Sequence, residues 1–141
     1  MTPPPVPAPA SPTTAARVLH VGLTMSAAGL AAIAWFFRGA LALPAGTGGA
    51  LTFAAYALAA SGLLAGLAFR RLIPGRSASE SQDAWWKANL PKAVAVWAVG
   101  ESIVLLGALV FAVGGQLAAA GVVALAGFAV LVATAPGRLD S

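Results

Sequence analysis

The chain has 141 residues, of which 60% are hydrophobic and only 9% are charged. Because soluble domains carry about a quarter charged residues, a water-soluble globule is excluded. The net charge is +4, but the basic residues border apolar blocks and form no stripe with stacking aromatic residues, so nucleic acid is not an expected partner. The sequence contains no cysteine, which excludes disulfides, thiolate catalysis and cysteine-bound metals.

The first segment, residues 1–15, contains six prolines among alanine, serine and threonine residues. Proline fixes the backbone φ angle and removes a hydrogen-bond donor, and the segment offers little surface to bury. It is therefore predicted to be a disordered, Pro-rich cytoplasmic tail.

Four apolar blocks follow, each close to the about 20 residues that a helix needs to cross a bilayer. They comprise residues 18–37, 51–69, 93–113 and 116–135. The first is longer than the core of a secretory signal, so it is predicted to remain as an anchor. Only Gly114 and Gly115 separate the last two blocks, which favours a tight antiparallel hairpin. The predicted fold is an all-α membrane protein, a four-transmembrane-helix antiparallel bundle that forms one domain over residues 16–135.

The only sizeable polar segment joins the second and third blocks and is predicted to be a cytoplasmic loop over residues 70–92. Within it, residues 82–90 fit two alternatives equally. They could form a short helix that rests on the inner membrane surface through Trp85 and Trp86, or a plain solvated loop. Pro91 suits the first turn of the third helix, where its missing N–H is not needed.

The distribution of lysine and arginine predicts the orientation. Seven of the eight basic residues lie on the side shared by the N-terminus, the central loop and the C-terminus: Arg17, Arg70, Arg71, Arg76, Lys87, Lys92 and Arg138. Arg38 alone lies on the opposite side. Because positively charged short loops stay in the cytoplasm, both termini are predicted to be inside, including a short tail over residues 136–141. The expected location is the cell (inner) membrane, crossed several times.

Small residues predict where the helices approach closely, because close helix packing in lipid depends on them. Gly62 and Gly66 share one face of the second helix, and Gly100 and Gly107 share one face of the third. These faces could pack within one chain or between chains. A biased composition is an equal alternative, since the chain has 16 glycines.

Glu101 is the only carboxylate inside the four blocks. At 1.5 Å per residue it lies about 12 Å beyond Ala93, the inner end of its helix. A carboxyl at that depth costs on the order of 2.5 to 3.5 kcal/mol, so a functional use is expected. Ser26 and Ser61 lie at a similar depth on the first and second helices. They are the predicted hydrogen-bond partners of Glu101 in a proton or ion site.

The run from Gly100 to Val110 reads GESIVLLGALV. It resembles the carboxylate-bearing helix of the rotor-ring c subunit of ATP synthases, in which a Glu is followed six residues later by a Gly, here Glu101 and Gly107. That helix also rises from a cytoplasmic loop, and the resemblance implies proton or sodium handling at Glu101. The family's first-helix glycine repeat has no counterpart in residues 18–37. The whole chain resembles small four-helix bacterial membrane proteins with a similar Glu and Gly pattern, which implies architecture alone.

No Gly-rich phosphate loop, metal-spaced His pair or Ser, His and acid set is present, so neither enzyme activity nor a metal or cofactor is expected. Two hypotheses remain. The favoured one is a non-enzymatic scaffold or accessory subunit, in which Glu101 fixes the packing of its own helices. The alternative is a proton- or sodium-handling subunit, in which Glu101 faces a groove, lipid or a subunit interface. The expected partners are the bilayer and either further copies of the chain or other membrane subunits.

Overall fold

The computed structural model describes residues 10–38 and 48–141, and over these residues the regular structure is entirely helical. The helices are α1 (Pro12–Phe36), α2 (Gly48–Arg71), α3 (Gln82–Gly114), α4 (Leu117–Ala133) and the short α5 (Pro136–Leu139). Three of them, α1, α2 and α3, are long and apolar enough to cross a membrane. The fourth, α4, is also apolar but is shorter, with 17 residues. The predicted all-α class is thus confirmed, with three helices that are long and apolar enough to cross a membrane.

The central element is α3, which packs against α1, α2 and α4. α1 runs parallel to α3, because His20 meets the edge of Trp97 near one end and Trp35 stacks on Phe111 towards the other. The helix α4 packs mainly on α3 and also on α2. In the described part of the chain, α1 and α2 make no sizeable contact with each other. They therefore flank α3 and leave part of its surface uncovered.

α1 begins at Pro12, six residues before the predicted start at Val18, so residues 12–15 belong to the helix and not to the predicted tail. Ser11 is the N-cap, and its hydroxyl accepts a hydrogen bond from the backbone N–H of Thr14 at 3.3 Å. Pro12 takes the first helical position, where its missing N–H costs nothing. A proline in a Pro-rich stretch thus starts the helix. The first nine residues of the predicted tail lie outside the described residues.

α3 begins at Gln82, so residues 82–92 are helical and not part of the predicted loop. Ser81 caps this end by accepting a hydrogen bond from the backbone N–H of Ala84 at 3.2 Å. Pro91, predicted to start the third helix, lies inside it. A proline within a helix removes one hydrogen bond and costs about 3 kcal/mol or more, so other contacts must stabilise the first turns.

Those contacts come from aromatic burial. Trp85 and Trp86 are almost wholly buried and pack edge to face with ring centroids 4.9 Å apart. Fully burying an aromatic side chain contributes about 1.5 to 3 kcal/mol, so the pair together offsets the proline. The plain-loop alternative for residues 82–90 is therefore wrong. The helical alternative is correct for the secondary structure, but the helix continues into the third block, and the burial of Trp85 and Trp86 in the bundle leaves them unable to rest on a membrane surface.

The last residues also pack on the bundle. The predicted fourth block, residues 116–135, is realised as α4 over Leu117–Ala133, and α5 follows at once. Leu139 is fully buried and Asp140 is only 6% exposed. Residues 136–141, predicted as a short tail, thus form a folded segment that packs on the bundle.

The four glycines of the predicted packing faces lie against helices of the same chain. A Cβ on Gly107 would lie 2.7 Å from the carbonyl oxygen of Ala120, and one on Gly100 would lie 3.0 Å from the side chain of Leu131. A Cβ on Gly62 would meet Ile103 at 2.9 Å. Likewise, Gly66 faces the side chain of Val130. The absent side chains therefore let α3 approach α4 closely and let α2 pack on both.

A polar contact joins the first turns of α1 and α3. The carboxylate of Asp83 accepts hydrogen bonds from the hydroxyl and the backbone N–H of Thr13. Asp83 lies ten residues before Ala93, ahead of the apolar segment. The bond from the Thr13 hydroxyl, followed by that from its backbone, holds the pKa of the Asp83 carboxyl below its ordinary value of 3.8.

We expect Asp83→Asn, which removes the charge, to lower the Tm slightly at neutral pH, because the lowered pKa means that the charged form stabilises the fold. This contribution is complete above about pH 4 and is lost as the pH falls through the lowered pKa. The difference between wild type and variant should therefore shrink in acid, as followed by thermal unfolding in detergent. Glu80→Gln, a change at a nearby carboxylate, is the control. An equal loss in both variants would contradict a specific role for Asp83.

Candidate functional site

The uncovered surface of α3 lies between α1 and α2. Its residues recur at intervals of three and four, as expected for one helix face. Ala98, Ser102 and Leu109 are exposed there, and Glu101 and Leu105 are partly buried. We call this surface the open cleft: Ala98, Glu101, Ser102, Leu105 and Leu109. It is the only place where an apolar block of this chain presents a carboxylate.

Glu101 lies on the part of the open cleft that is nearer to α1. The aromatic pairs His20 with Trp97 and Trp35 with Phe111 place α1 and α3 in parallel register. With this register, Thr24 lies level with Glu101. The hydroxyl of Thr24 donates to the carbonyl oxygen of His20 in its own helix at 2.8 Å, which leaves its oxygen free to accept.

The structure does not join Glu101 to its predicted partners. Ser61 is exposed and donates to the carbonyl oxygen of Ala57 in its own helix at 2.8 Å. Ser26 is exposed on α1. Among the residues that the structure describes, none forms a hydrogen bond with the Glu101 carboxyl. Matching by depth located the level of the site but not the direction in which each side chain points around its helix.

Ser102 connects the open cleft to a recess against α2. Its hydroxyl donates to the carbonyl oxygen of Ala98 at 2.7 Å. The recess has a volume of about 450 Å³, and its lining is apolar apart from this hydroxyl. It is lined by Leu58, Gly62, Ala98, Val99, Ser102, Ile103 and Leu106. Of the two polar residues of the open cleft, Ser102 therefore borders this apolar recess and Glu101 does not.

This arrangement can bind a polar group but is poorly suited to hold a metal. Within residues 10–38 and 48–141, no three His, Cys, Asp or Glu side chains come together as metal ligands would. Glu101 can instead take up a proton, or accept a hydrogen bond or a positive charge from outside the chain. Because an unpaired carboxylate is costly in hydrocarbon, one of these states is required if the cleft faces lipid.

A second polar cluster, which sequence reasoning missed, lies at the end of the bundle where α1 and α3 begin. We call it the tryptophan cluster: Trp85, Trp86 and Trp97. The indole N–H of Trp86 donates to a carboxylate oxygen of Asp140 at 2.8 Å, and that of Trp97 donates to the carbonyl oxygen of Thr134 at 2.8 Å. Buried indoles need such acceptors. Nothing in the sequence near Asp140 indicated that it would supply one, since it is 54 positions from Trp86.

The tryptophan cluster fixes the folded C-terminal segment. Asp140 also accepts a hydrogen bond from the side-chain amide of Gln82, and Arg76 donates to its backbone carbonyl oxygen at 3.1 Å. The described part of the chain leaves no fully buried side-chain nitrogen or oxygen without a partner. A satisfied network of this kind stabilises a fold, so the open cleft is the better candidate for function.

No protein-family model, curated protein or solved structure matches the chain. Function is therefore argued from the geometry of the open cleft and from the charge distribution. The resemblance of the Gly100 to Val110 segment to the rotor c subunit stays a prediction that depends on those residues alone.

Proposed function

We propose that the protein is a multi-pass integral membrane protein without enzymatic activity. It serves as an accessory subunit that joins another membrane protein through the open cleft. Four helices cross the cell membrane, with both termini on the cytoplasmic side. Three long apolar helices support this location, and the 17 residues of α4 are within the range that spans a bilayer. The seven basic residues on one side of the apolar blocks support the orientation.

The observation that carries the proposal is the position of Glu101. Its carboxyl is partly exposed on the open cleft and has no hydrogen-bond partner among the described residues. The glycine contacts and the tryptophan cluster account for the packing of α3 without it. A scaffold in which Glu101 fixes its own helices is therefore less well supported than a subunit in which Glu101 meets a neighbour. A polar group from a second membrane protein would relieve the cost of a carboxylate in hydrocarbon.

Proton or sodium handling is the second candidate, and the same exposure favours it, because an ion must reach the carboxyl. A transport path normally needs several polar groups across the membrane. Besides the carboxyl of Glu101, the open cleft offers the hydroxyl of Ser102, and α1 offers the hydroxyl of Thr24 at the same level. This small set is enough to hold a partner's polar group, so we prefer association.

We expect Glu101→Leu to dissociate the native complex, because a bond between a charged group and its partner is worth about 1.5 to 3 kcal/mol, or at least tenfold in affinity. Glu101→Gln should weaken it less, since an amide still forms hydrogen bonds. Native gels of membranes solubilised in mild detergent would measure the size of the complex. Ser61→Leu, a change at an exposed polar residue outside the recess lining, is the matched control. An unchanged complex with Glu101→Leu would rule out association through this residue.

The same variants distinguish ion handling, the second candidate function, from association. A carbodiimide that reacts with protonated carboxyls should label Glu101 less as the pH rises if the group titrates in the membrane. With ion handling, Glu101→Gln would leave the complex intact but abolish ion flux that depends on pH. With association, Glu101→Gln changes the complex and no such flux is present to lose.

The orientation predicts opposite labelling of two introduced cysteines in this cysteine-free chain. Ser77→Cys lies in the exposed segment between α2 and α3, and Gly49→Cys lies in the exposed first turn of α2. We expect an impermeant thiol reagent to label Gly49→Cys in intact cells and Ser77→Cys only after the membrane is opened. The reverse pattern would invert the proposed topology, and labelling of both in intact cells would argue against a membrane-spanning α2.

A further inference from the structure

A furrow lies between α2 and α3 at the basic end of the bundle. We call it the basal furrow: Phe69, Leu72, Pro91, Lys92 and Ala95. Its volume is about 310 Å³, and four of the five lining residues are apolar. Phe69 is 44% exposed and Leu72 is 62% exposed, so this apolar surface is open to the surroundings. Lys92 is the one charged residue of the lining.

The side chain of Lys92 is held in place by a buried neighbour. Its ammonium donates to the side-chain oxygen of Asn89 at 3.3 Å, and Asn89 is only 4% exposed. The amide of Asn89 in turn donates to the carbonyl oxygen of Trp85 at 3.0 Å. An ammonium has three donors, so Lys92 keeps two for an anion.

The basal furrow lies at the boundary between basic residues and an apolar block in both helices. Lys92 directly precedes Ala93, the start of the third apolar block, and Arg70 and Arg71 directly follow Phe69, the end of the second. The guanidinium of Arg70 donates to the carbonyl oxygen of Ile73, just after the end of α2, at 3.1 Å. In a bilayer, this change marks the level of the headgroups.

We propose that the basal furrow binds an anionic phospholipid. The phosphate accepts from the ammonium of Lys92, and an acyl chain lies along Phe69, Leu72 and Ala95. Basic pockets between membrane helices on the cytoplasmic side are suited to anionic headgroups. A soluble anion would gain nothing from the apolar walls, and a zwitterionic lipid carries a cation that Lys92 repels. The inference rests on the membrane location and orientation proposed above.

The test uses the full chain, purified in neutral detergent, and native mass spectrometry of bound lipid. The probes are phosphatidylglycerol and phosphatidylcholine with the same acyl chains, and glycerol phosphate as the headgroup without chains. We expect phosphatidylglycerol alone to be retained. Lys92→Gln should weaken its binding roughly fivefold. Ala95→Leu, which fills the furrow and keeps the charge, should also weaken it. Lys87→Gln, a change at an exposed lysine of the same helix outside the furrow, should not.

Equal retention of the two lipids, or equal losses in Lys92→Gln and Lys87→Gln, would overturn the proposal, because binding would then be unspecific or would follow diffuse charge. Retention of glycerol phosphate would show that the furrow binds an anion without acyl chains, and it would overturn the proposal of a phospholipid. If Gly49→Cys and Ser77→Cys are labelled as expected but lipid selectivity is missing, only the lipid-site proposal is overturned. If their labelling is reversed, the proposed topology is overturned, and with it the cytoplasmic lipid site.

Discussion

Gly127→Ala should destabilise the bundle, whereas Gly121→Ala in the same helix should not. A Cβ on Gly127 would lie 2.6 Å from the carbonyl oxygen of Gly100 and 2.7 Å from the backbone nitrogen of Val104. Neither atom can move without shifting α3. Gly121 has no such neighbour within 4 Å. Overpacking of this kind typically costs about 1 to 3 kcal/mol.

The change in Tm should differ in sign between the two variants, because alanine is a better helix former than glycine by about 1 kcal/mol. Gly121→Ala should therefore match or exceed the wild-type Tm, while Gly127→Ala falls below it. Gly107→Ala should behave like Gly127→Ala, since its Cβ would lie 2.8 Å from the backbone nitrogen of Ala124. Thermal unfolding followed by circular dichroism in detergent is the measurement. Equal Tm values for the two α4 variants would show that α3 and α4 do not approach this closely.

Asp140→Ala should release the C-terminal segment from the bundle. It removes the acceptor of the Trp86 indole and of the Gln82 amide, so the buried Trp86 donor and the half-buried Gln82 donor both lose their partner. Leaving a buried donor unsatisfied costs about 1 to 3 kcal/mol. Because Leu139 is fully buried beside it, its packing is lost with the segment.

Two readouts separate release from general unfolding. Released tryptophans meet water, so their fluorescence should shift to the red, and a protease that cuts after arginine should cleave at Arg138 faster. The helical signal should persist, because α3 and α4 still pack through their glycines. Ser141→Ala, a change at the exposed neighbour, is the control and should resemble wild type. Cleavage at the wild-type rate in Asp140→Ala would mean that the carboxylate does not hold the segment.

The long apolar helices could be predicted because the length of an apolar block alone carries the signal. The full extent of α3 could not, since the sequence left residues 82–90 open between a helix and a loop, and the burial of Trp85 and Trp86 against distant parts of the chain joins them to the third block as one helix. Pro91 pointed to the wrong boundary for the same reason. A local rule about helix starts gives way where tertiary packing is strong enough.

Of the candidate site, only one residue could be predicted. Glu101 stands out as a lone carboxylate in an apolar block, and the structure places it on the open cleft. The partners were not predictable, because depth along a helix can be counted from sequence but the direction around it depends on which faces touch. That is why Ser102, on the neighbouring position of the same helix, borders the recess while Ser61 does not.

α3 has 33 residues without interruption, about 50 Å at 1.5 Å per residue, which exceeds the hydrocarbon core of about 30 Å. Under the proposed membrane location, the first turns of α3 therefore project beyond the hydrocarbon core. The helix axis from Glu101 to Asp83 measures about 27 Å, so a tilt of about 5° at the open cleft would move the first turn by roughly 2 Å. Pro91 lies between these two residues, where the helix bends most readily. A change of tilt at the open cleft would therefore reach the contact between Asp83 and Thr13 at the other end of the helix.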